Sequence, residues 1–294
     1  MKPARFQYFA PDTVGEVFSL LDRFGDDAKI LAGGQSLVPM MNFRLVRPGS
    51  LIDINRLPNL SYIEQIDATL RIGALTRHRA LERSPLIREK HGLVLEAVRL
   101  IGHPAIRARG TAGGSFAHAD PTAELPAVLA AMDGSVQAVS SRGQRTIPWQ
   151  DFFVSYFTTS LEPAEMCTEI SLPMPPPGAG WAFEEFTRRH GDFAIAGAAA
   201  VLAAGDQGRC TLARLALAGA GPTPIRANGV EEFLHGETLS DRVLEEAGRR
   251  VAKEVDPDSD LHASREYRRH LLGVMATRAL KRAFAGGSAT GGKS

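Results

Sequence analysis

Cysteine is scarce in this sequence, which has only Cys167 and Cys210 among its 294 residues. Neither belongs to a Cys-x-x-Cys pair, so the chain has no disulfide framework of the kind that staples small secreted domains. An iron–sulfur cluster held by thiolates needs four ligands, and two cysteines do not supply them. The sequence therefore excludes a [2Fe–2S] cluster bound by the cysteines of this chain alone, and we expect both thiols to fill buried apolar space.

An excess of one charge and a long apolar run are also missing. Lys and Arg together number 34 and Asp and Glu 33, which gives a net charge of +1. Such a balanced surface offers no broad field for nucleic acid or an anionic membrane. The longest apolar stretch, residues 193–204, is rich in alanine and too short to span a bilayer, and the first residues carry no apolar signal segment. We therefore expect no nucleic-acid partner, no membrane span and a cytoplasmic location.

Two common site motifs are absent as well. No Gly-x-Gly-x-x-Gly fingerprint stands between a strand and a helix, and Gly219-Ala-Gly221 runs into Pro-Thr-Pro, which does not favour a phosphate-binding helix start. The nucleophile elbow Gly-x-Ser-x-Gly is missing too, because the segment from Gly34 to Val38 lacks the second glycine. These absences argue against a Rossmann dinucleotide domain and against a serine hydrolase.

Two short glycine segments are the most informative feature that is present. Residues 32–36 read Ala-Gly-Gly-Gln-Ser, and residues 111–115 read Thr-Ala-Gly-Gly-Ser. Glycine lets the backbone approach a ligand closely, so N–H groups can converge on phosphate oxygens while the hydroxyls of Ser36, Thr111 and Ser115 donate hydrogen bonds. Together the two segments indicate a dinucleotide site. On spacing alone, tight turns in which glycine serves only the local geometry are the alternative.

Hydrophobic periodicity places these segments among mixed helices and strands. The spacing predicts a helix over residues 13–24 and a short strand over 29–32 that leads into the first glycine segment. Further strands are predicted over 50–54, 69–73 and around 136–139, and further helices over 93–101 and 126–132. The first glycine segment should thus follow a strand, and the second should follow a helix.

The clearest boundary is the run Pro-Met-Pro-Pro-Pro-Gly-Ala-Gly at residues 173–180, which denies both helix continuation and strand pairing. Beyond it we expect the strands of an antiparallel sheet over 181–187, 194–203 and 210–217, although the first two segments could also be read as helices. Helices are expected over 231–234, 241–254 and 264–284. The residues after 286 are rich in glycine and have little to bury, so we expect them to be flexible.

A family resemblance is carried by the two glycine segments and their surroundings. Residues 29–44 and 106–126 closely resemble the two flavin-binding motifs of the medium, FAD-carrying subunits of the molybdenum hydroxylases, the xanthine dehydrogenase, carbon monoxide dehydrogenase and quinoline oxidoreductase family. The likeness continues through residues 189–194, 222–227 and 264–269, and only the last residues of the chain fall outside it.

This resemblance implies an α+β fold with two domains. Residues 1–176 would form a two-lobed FAD-binding domain of the vanillyl-alcohol-oxidase/PCMH type, with lobes at about 1–56 and 57–176. Residues 177–286 would form a C-terminal α+β domain with an antiparallel sheet and helices, and residues 287–294 a flexible tail. FAD would lie between the two domains.

The resemblance also implies a set of cofactor-binding residues, with no catalytic residue and no metal site. The pyrophosphate would be held by Gly33, Gly34, Ser36, Gly113 and Gly114, within loops that include Ala32, Gln35, Gly110 and Ala112. The surrounding wall would consist of Lys29, Leu31, Leu37 and Val38. The ribityl or ribose oxygens would meet Thr111, Ser115 and Glu124, and the flavin ring would lie near Ile101 and Phe193.

The chain departs from the resembled family at three positions. Phe193 stands where relatives often have tyrosine, so stacking on the flavin ring is retained and a hydroxyl hydrogen bond is not. Ala112 and Ser115 stand where relatives commonly have isoleucine and asparagine, so the hydrogen bond from Ser115 has a shorter reach. The change at Phe193 would affect the tuning of the redox potential more than the binding of the cofactor.

Two interpretations are open for His118 and Asp120, which stand close to Glu124 in the sequence. Imidazole and carboxylates are ligands for iron or zinc, so the three side chains are candidates for a metal trio. A loop that hydrogen-bonds sugar and phosphate groups uses the same residue types, and we favour this second interpretation. His118 is also suited to cap local backbone groups.

By the same resemblance the chain would be an FAD-binding electron-transfer subunit. A large partner would hold the molybdenum–pterin centre and hydroxylate the substrate, and a small partner would carry two [2Fe–2S] clusters that supply electrons. NAD⁺, a quinone or oxygen would accept these electrons, and a dimer of heterotrimers is expected. The alternatives are a self-sufficient FAD-dependent oxidoreductase of the same flavoprotein superfamily and a flavin-free assembly scaffold.

Overall fold

The computed structural model describes residues 2–290, with side chains through residue 287. Along the chain come a first lobe with a parallel sheet, a second lobe with an antiparallel sheet, and a third part with another antiparallel sheet. Single turns of 3₁₀-helix lie at Gly25–Asp27, Pro58–Leu60 and Asp206–Gly208.

The first lobe is a small parallel sheet with two helices. Its elements are β1 (Gln7–Phe9), α1 (Val14–Phe24), β2 (Ala28–Leu31), α2 (Leu37–Asn42) and β3 (Ser50–Asp53), and the strand order is β1-β3-β2. Helix α1 begins at a capping box, in which Thr13 Oγ1 accepts from the Glu16 N–H at 3.2 Å and the Glu16 carboxylate accepts from the Thr13 N–H at 3.4 Å. The first glycine segment lies between the end of β2 at Leu31 and the start of α2 at Leu37, so it connects a strand to a helix.

The second lobe is a five-stranded antiparallel sheet covered by short helices. Its strands are β4 (Ile63–Ile66), β5 (Thr69–Gly73), β6 (Ser135–Ser140), β7 (Gly143–Pro148) and β10 (Met166–Pro173), in the order β4-β5-β10-β6-β7. Its helices are α3 (His78–Arg83), α4 (Pro85–Lys90), α5 (Gly92–Leu100), α6 (Pro104–Arg109), α7 (Ala112–His118), α8 (Glu124–Ala131) and α9 (Trp149–Phe152). A separate hairpin pairs β8 (Phe153–Ser155) with β9 (Thr158–Thr159).

The third part is a four-stranded antiparallel sheet with three helices. It consists of β11 (Gly180–Phe186), β12 (Ala196–Ala204), β13 (Cys210–Ala218) and β14 (Ile225–Arg226), paired in this order, and of α10 (Asn228–Leu234), α11 (Asp241–Glu254) and α12 (Arg265–Thr290). Alternation along β12 places Ala199 and Val201 in the core of the second lobe, and Ala200 and Leu202 in the core beneath α11 and α12. The sheet is therefore buried on both faces and joins the second lobe to the C-terminal helices.

The structure confirms the predicted strands and differs from the predictions at three helix ends, one of which is the start of α10 at Asn228 instead of residue 231. The helix predicted over 126–132 begins at Glu124, since a proline such as Pro126 is tolerated in the first turn of a helix. The last helix continues past residue 284 to Thr290, and a methyl group on Gly287 would lie 2.9 Å from the Gly178 carbonyl oxygen. Of the tail expected to be flexible, residues 287–290 are thus helical, and residues 291–294 lie outside the described residues.

The two cysteines were expected to be buried, and no membrane-spanning segment was expected. Cys167 and Cys210 are both free and buried, which confirms that they fill apolar space. In the described part of the chain, no helix combines the length and the apolar composition needed to cross a bilayer.

Candidate cofactor site between two glycine loops

The first glycine loop, residues 33–36, presents unpaired backbone donors. Within residues 2–290, the N–H groups of Gly33, Gly34, Gln35 and Ser36 donate to no protein acceptor, and the Ser36 hydroxyl makes no hydrogen bond either. Gly34 has a φ of 71°, a conformation that glycine adopts without strain and that turns the chain between β2 and α2. Successive free N–H groups in such a turn are suited to anionic oxygens.

Apolar side chains enclose this loop. A methyl group on Gly34 would lie 3.1 Å from Leu31 Cδ1 and 3.2 Å from Val38 Cγ2, so both side chains pack beside the turn. The Gln35 amide turns back and donates to the Gly33 carbonyl at 3.1 Å. Of the other wall candidates, Leu37 is partly buried and Lys29 is exposed on β2, and the loop residue Ala32 is partly buried.

The second glycine loop, residues 110–115, uses most of its backbone donors inside the protein. The N–H of Ala112 donates to the Thr76 carbonyl at 2.9 Å, and the N–H of Gly113 donates to the Ala74 carbonyl at 2.9 Å. A methyl group on Gly113 would lie 2.5 Å from Ala74 Cβ, so glycine is needed here for close packing on the segment after β5. These two N–H groups are therefore not available to a ligand.

The hydroxyls of the second loop have separate surroundings. Thr111 is only 2% exposed and caps α7, because its Oγ1 accepts from the Gly114 N–H at 3.2 Å. Ser115 is partly buried, and its Oγ lies 2.9 Å from Nε2 of His78. The two loops thus differ in kind, since the first offers backbone donors and the second offers a side-chain hydroxyl on a packed frame.

The two loops meet at Gly33. A methyl group there would lie 2.6 Å from the Arg109 carbonyl oxygen and 2.8 Å from Gly110 Cα. Contacts this short are incompatible with any side chain at position 33, because the opposing atoms belong to the backbone. The structure therefore brings together the two glycine segments that were predicted to form one site, although they are far apart along the chain.

Arg77 and Asn55 tie the loops together, although neither is among the residues predicted for the site. The Arg77 guanidinium donates to the Arg109 carbonyl and, at 2.6 Å, to Asn55 Oδ1. The Asn55 amide donates in turn to the Ala32 carbonyl at 2.9 Å. Burial, followed by the nearby Arg109 charge, lowers the pKa of Arg77. A lone arginine and a lone asparagine carry no sequence signal for such a role.

A third wall comes from the loop between β11 and β12. Gly191 has a φ of 79°, and a methyl group on it would lie 3.0 Å from the Gly102 carbonyl carbon. Ile101, next to Gly102 in the chain, is partly buried, whereas Phe193, two residues after Gly191, is 72% exposed. The structure therefore places Ile101 and Phe193 on two segments that touch.

His118 and Asp120 lie at the end of α7 and hold local structure. The His118 ring lies 5.1 Å from that of Phe157, and burial lowers the pKa of the imidazole. Asp120 Oδ1 accepts from the Thr122 N–H at 2.9 Å and from the Thr122 hydroxyl at 2.7 Å. Among residues 2–290, no group of three or more His, Cys, Asp or Glu side chains is arranged to hold a metal ion.

Glu124 and Glu185 form an acidic pair where the second lobe faces β11. Glu185 lies on the same side of β11 as Phe183, which belongs to the core of the second lobe. Burial first, and then the charges of Glu185 and Asp120, raise the pKa of Glu124 to about 8. Burial raises the pKa of Glu185 to about 7, and its Oε2 is buried with no hydrogen-bond partner in the described part of the chain. Glu124 is thus mostly protonated at neutral pH, and Glu185 partly so.

We expect Glu185→Gln to stabilise the FAD-free chain at alkaline pH and to change little near pH 5. A carboxyl whose pKa is raised on folding contributes its full stability below its ordinary pKa of 4.5 and loses it as the pH rises through about 7. One pKa unit corresponds to about 1.4 kcal/mol, and after reduction for partial exposure the variant should gain about 1–2 kcal/mol near pH 8.5.

Urea unfolding at the two pH values measures this difference in the free energy of unfolding. Glu232→Gln, at an exposed position of α10, is the matched control. A gain from Glu185→Gln that is equal at both pH values would show that the stabilisation does not come from titration of the carboxyl.

Two families match most of the chain. Residues 4–175 match the family described as the FAD binding domain in molybdopterin dehydrogenase. Residues 181–283 match the CO dehydrogenase flavoprotein C-terminal domain. Both glycine loops lie in the first match, and the Gly191 loop lies in the second.

Curated relatives align over nearly the whole length. The 6-hydroxypseudooxynicotine dehydrogenase complex subunit alpha of Paenarthrobacter nicotinovorans is 46% identical over 284 residues, which cover 97% of this chain and 96% of that protein. The carbon monoxide dehydrogenase medium chain of Hydrogenophaga pseudoflava is 38% identical over 285 residues, which cover 97% of this chain and 99% of that protein.

Solved structures agree with this relationship. A chain of carbon monoxide dehydrogenase from Hydrogenophaga pseudoflava superposes with a TM-score of 0.93 at 39% identity, over 97% of this chain and 99% of that chain. A chain of quinoline 2-oxidoreductase from Pseudomonas putida 86 does so with a TM-score of 0.93 at 34% identity, over 98% and 99%. The predicted fold, an FAD-binding domain followed by an antiparallel sheet with helices, is confirmed. The chain belongs to the FAD-binding medium subunits of the molybdenum hydroxylases, the family of the carbon monoxide dehydrogenase medium chain.

Proposed function

We propose that this chain binds FAD in the groove bounded by the two glycine loops and the Gly191 loop, and that it is the electron-transfer subunit of a molybdenum hydroxylase. Electrons would arrive from the [2Fe–2S] clusters of a small partner subunit and leave to an external acceptor. Residues 1–176 and 177–286 would be the two domains that enclose the cofactor.

The unpaired donors of the first loop carry this proposal. Four consecutive N–H groups, from Gly33 to Ser36, have no protein acceptor in the described chain, and buried or partly buried donors of this kind need a partner. The oxygens of a pyrophosphate supply such partners. The bare Gly33 and Gly34 leave space for it, so the residues present fit the phosphate part of FAD. When bound, FAD supplies the ability to exchange one or two electrons.

Other residues of the groove suit the remaining parts of FAD. Ser115 is a hydroxyl donor, and a protonated Glu124 can donate as well as accept, so both are suited to ribityl or ribose hydroxyls. Ile101 and the exposed Phe193 offer apolar surface to the flavin ring. Thr111 would act through the geometry of the loop, because its hydroxyl caps α7.

A multi-subunit assembly is supported by the names of two relatives, the carbon monoxide dehydrogenase medium chain and the nicotine 6-hydroxylase medium subunit. We propose a large partner with the molybdenum–pterin centre, a small partner with two [2Fe–2S] clusters, and a dimer of these heterotrimers. Burial raises the pKa of Cys167 to about 12 and that of Cys210 to about 11, which supports placing the cluster ligands in a partner. The unpaired thiols also support a cytoplasmic location.

Purification of the native assembly tests the proposed function. We expect flavin absorption bands together with iron and molybdenum, in a fraction that contains this chain and two co-eluting chains. An assembly that contains this chain and no flavin would contradict the proposal. A lone flavoprotein that is reduced directly by NAD(P)H or by a substrate would instead indicate the self-sufficient oxidoreductase.

A further inference from the structure

His78 lies directly behind the second glycine loop and is not among the residues predicted for the site. It is the first residue of α3, its N–H donates to the Gly110 carbonyl at 3.0 Å, and only 4% of the residue is exposed. An antiparallel bridge between Arg77 and Thr111 holds the two segments side by side. His78 therefore belongs to the frame that supports the loop.

The two ring nitrogens of His78 have different surroundings. Nε2 lies 2.9 Å from Ser115 Oγ. Nδ1 is buried, has no hydrogen-bond partner among residues 2–290, and faces Gly110, where a methyl group would lie 2.7 Å from it. The ring thus occupies the space that Gly110 leaves free, with a polar contact on one nitrogen.

The charges around the ring favour its neutral form. Burial is the largest cause and lowers the pKa of His78 to about 4; the nearby Thr111 backbone opposes this shift, and the guanidinium groups of Arg107 and Arg77 lower the pKa further. Arg107 is itself buried and pairs with Glu82 at 3.2 Å. At physiological pH the imidazole therefore carries a single N–H hydrogen, which sits on one of the two nitrogens.

The surroundings select Nε2 for this hydrogen. On Nδ1 it would be a buried donor without an acceptor, which is less favourable than a buried lone pair without a donor. On Nε2 it donates to Ser115 Oγ. In the described chain the Ser115 hydroxyl does not donate to the Thr111 carbonyl four residues earlier, the usual acceptor for a helical serine, so its hydrogen is left for another acceptor.

We propose that His78 is a positioning residue of the cofactor site, whose Nε2–H donates to Ser115 Oγ and so leaves the Ser115 hydroxyl hydrogen to donate to an oxygen of bound FAD. This inference rests on the proposed function. With the ring hydrogen on Nδ1 instead, Nε2 would accept from the Ser115 hydroxyl, and the serine would present only lone pairs to the cofactor. His78 thus makes Ser115 the donor in its hydrogen bond to FAD, although His78 itself does not contact the cofactor.

Titrations of the full chain with FAD, after removal of the bound cofactor, test this role. We expect His78→Leu, which removes the donor, to weaken FAD binding about tenfold, and Ser115→Ala to weaken it by a similar factor. The double variant should bind no more weakly than either single variant, because the hydroxyl depends on His78 for its orientation. His78→Gln, whose amide nitrogen can reach the position of Nε2, should restore most of the affinity.

Nitrogen NMR of labelled histidine in the wild-type chain provides a second readout, which needs no variant to fold. We expect the Nε2–H tautomer for His78, both before and after FAD is added. An Nδ1–H tautomer, or effects of the two substitutions that simply add, would overturn the role of His78 in a chain that binds FAD normally. A wild-type chain that binds no FAD would instead overturn the proposed function.

Discussion

Gly33→Ala should weaken FAD binding by a factor on the order of 100, because the loss of a hydrogen bond to a charged phosphate oxygen costs about 1.5–3 kcal/mol. The new Cβ would lie 2.6 Å from the Arg109 carbonyl oxygen and 2.8 Å from Gly110 Cα. Both are backbone atoms, which cannot swing away as the end of a flexible side chain would. The two loops must therefore separate, and the first loop loses its place relative to Ser115. Calorimetric titration of the FAD-free chain with FAD measures the dissociation constant.

Gly15→Ala is the matched control for this substitution. Gly15 lies in α1, and nothing stands within 4 Å of the position that its Cβ would take. Alanine in a helix is favoured over glycine by about 0.5–1 kcal/mol, so the control should be slightly more stable and bind FAD as the wild type does. If Gly33→Ala also bound FAD with unchanged affinity, the contact between the loops would not form part of the cofactor site.

Arg226→Met should lower the free energy of unfolding by about 3–5 kcal/mol, the cost typical of removing one partner from a buried ion pair. The Arg226 side chain is 9% exposed and lies 2.6 Å from Glu231 Oε1 and 2.7 Å from Asp133 Oδ1. It also donates to the Ala130 carbonyl at 2.8 Å. Methionine fills a similar volume and leaves the Glu231 carboxylate without its cation. Urea unfolding monitored by tryptophan fluorescence measures the loss.

Arg226 lies where the second lobe contacts the third part of the chain, so its replacement affects the contact between them. Ala130 and Asp133 belong to the second lobe, whereas Arg226 and Glu231 belong to the third part. The substitution should therefore weaken FAD binding as well, because it loosens the joint between two walls of the groove. Arg142→Met is the control, since the pair that Arg142 forms with Glu162 is 68% and 56% exposed and should contribute no more than about 1 kcal/mol. Equal losses in the two variants would show that burial of the Arg226 pair has no energetic consequence.

Much of the secondary structure could be predicted from the sequence because its signals are local. Helix α1 has both an amphipathic spacing and a capping box at Thr13 and Glu16, and these act within a few residues of each other. Strand β12 is different, because its run of small apolar residues fits a helix as well as a strand. It is a strand because each face packs into a separate core, and that environment is created by β11, β13 and the C-terminal helices.

The candidate site divides in the same way. The sequence by itself determined the two glycine segments, their hydroxyls and the family, because these depend on residue types that stand next to each other. Only the tertiary structure decided that the first loop keeps its N–H groups free while those of Ala112 and Gly113 bond to the segment after β5. The tertiary structure also places His78 beside Ser115 and Glu185 near Glu124, although neither residue belongs to a sequence motif. Hydrogen bonds between segments that are distant in the chain, and the burial of their side chains, depend on how those segments pack. This packing cannot be predicted from local sequence patterns.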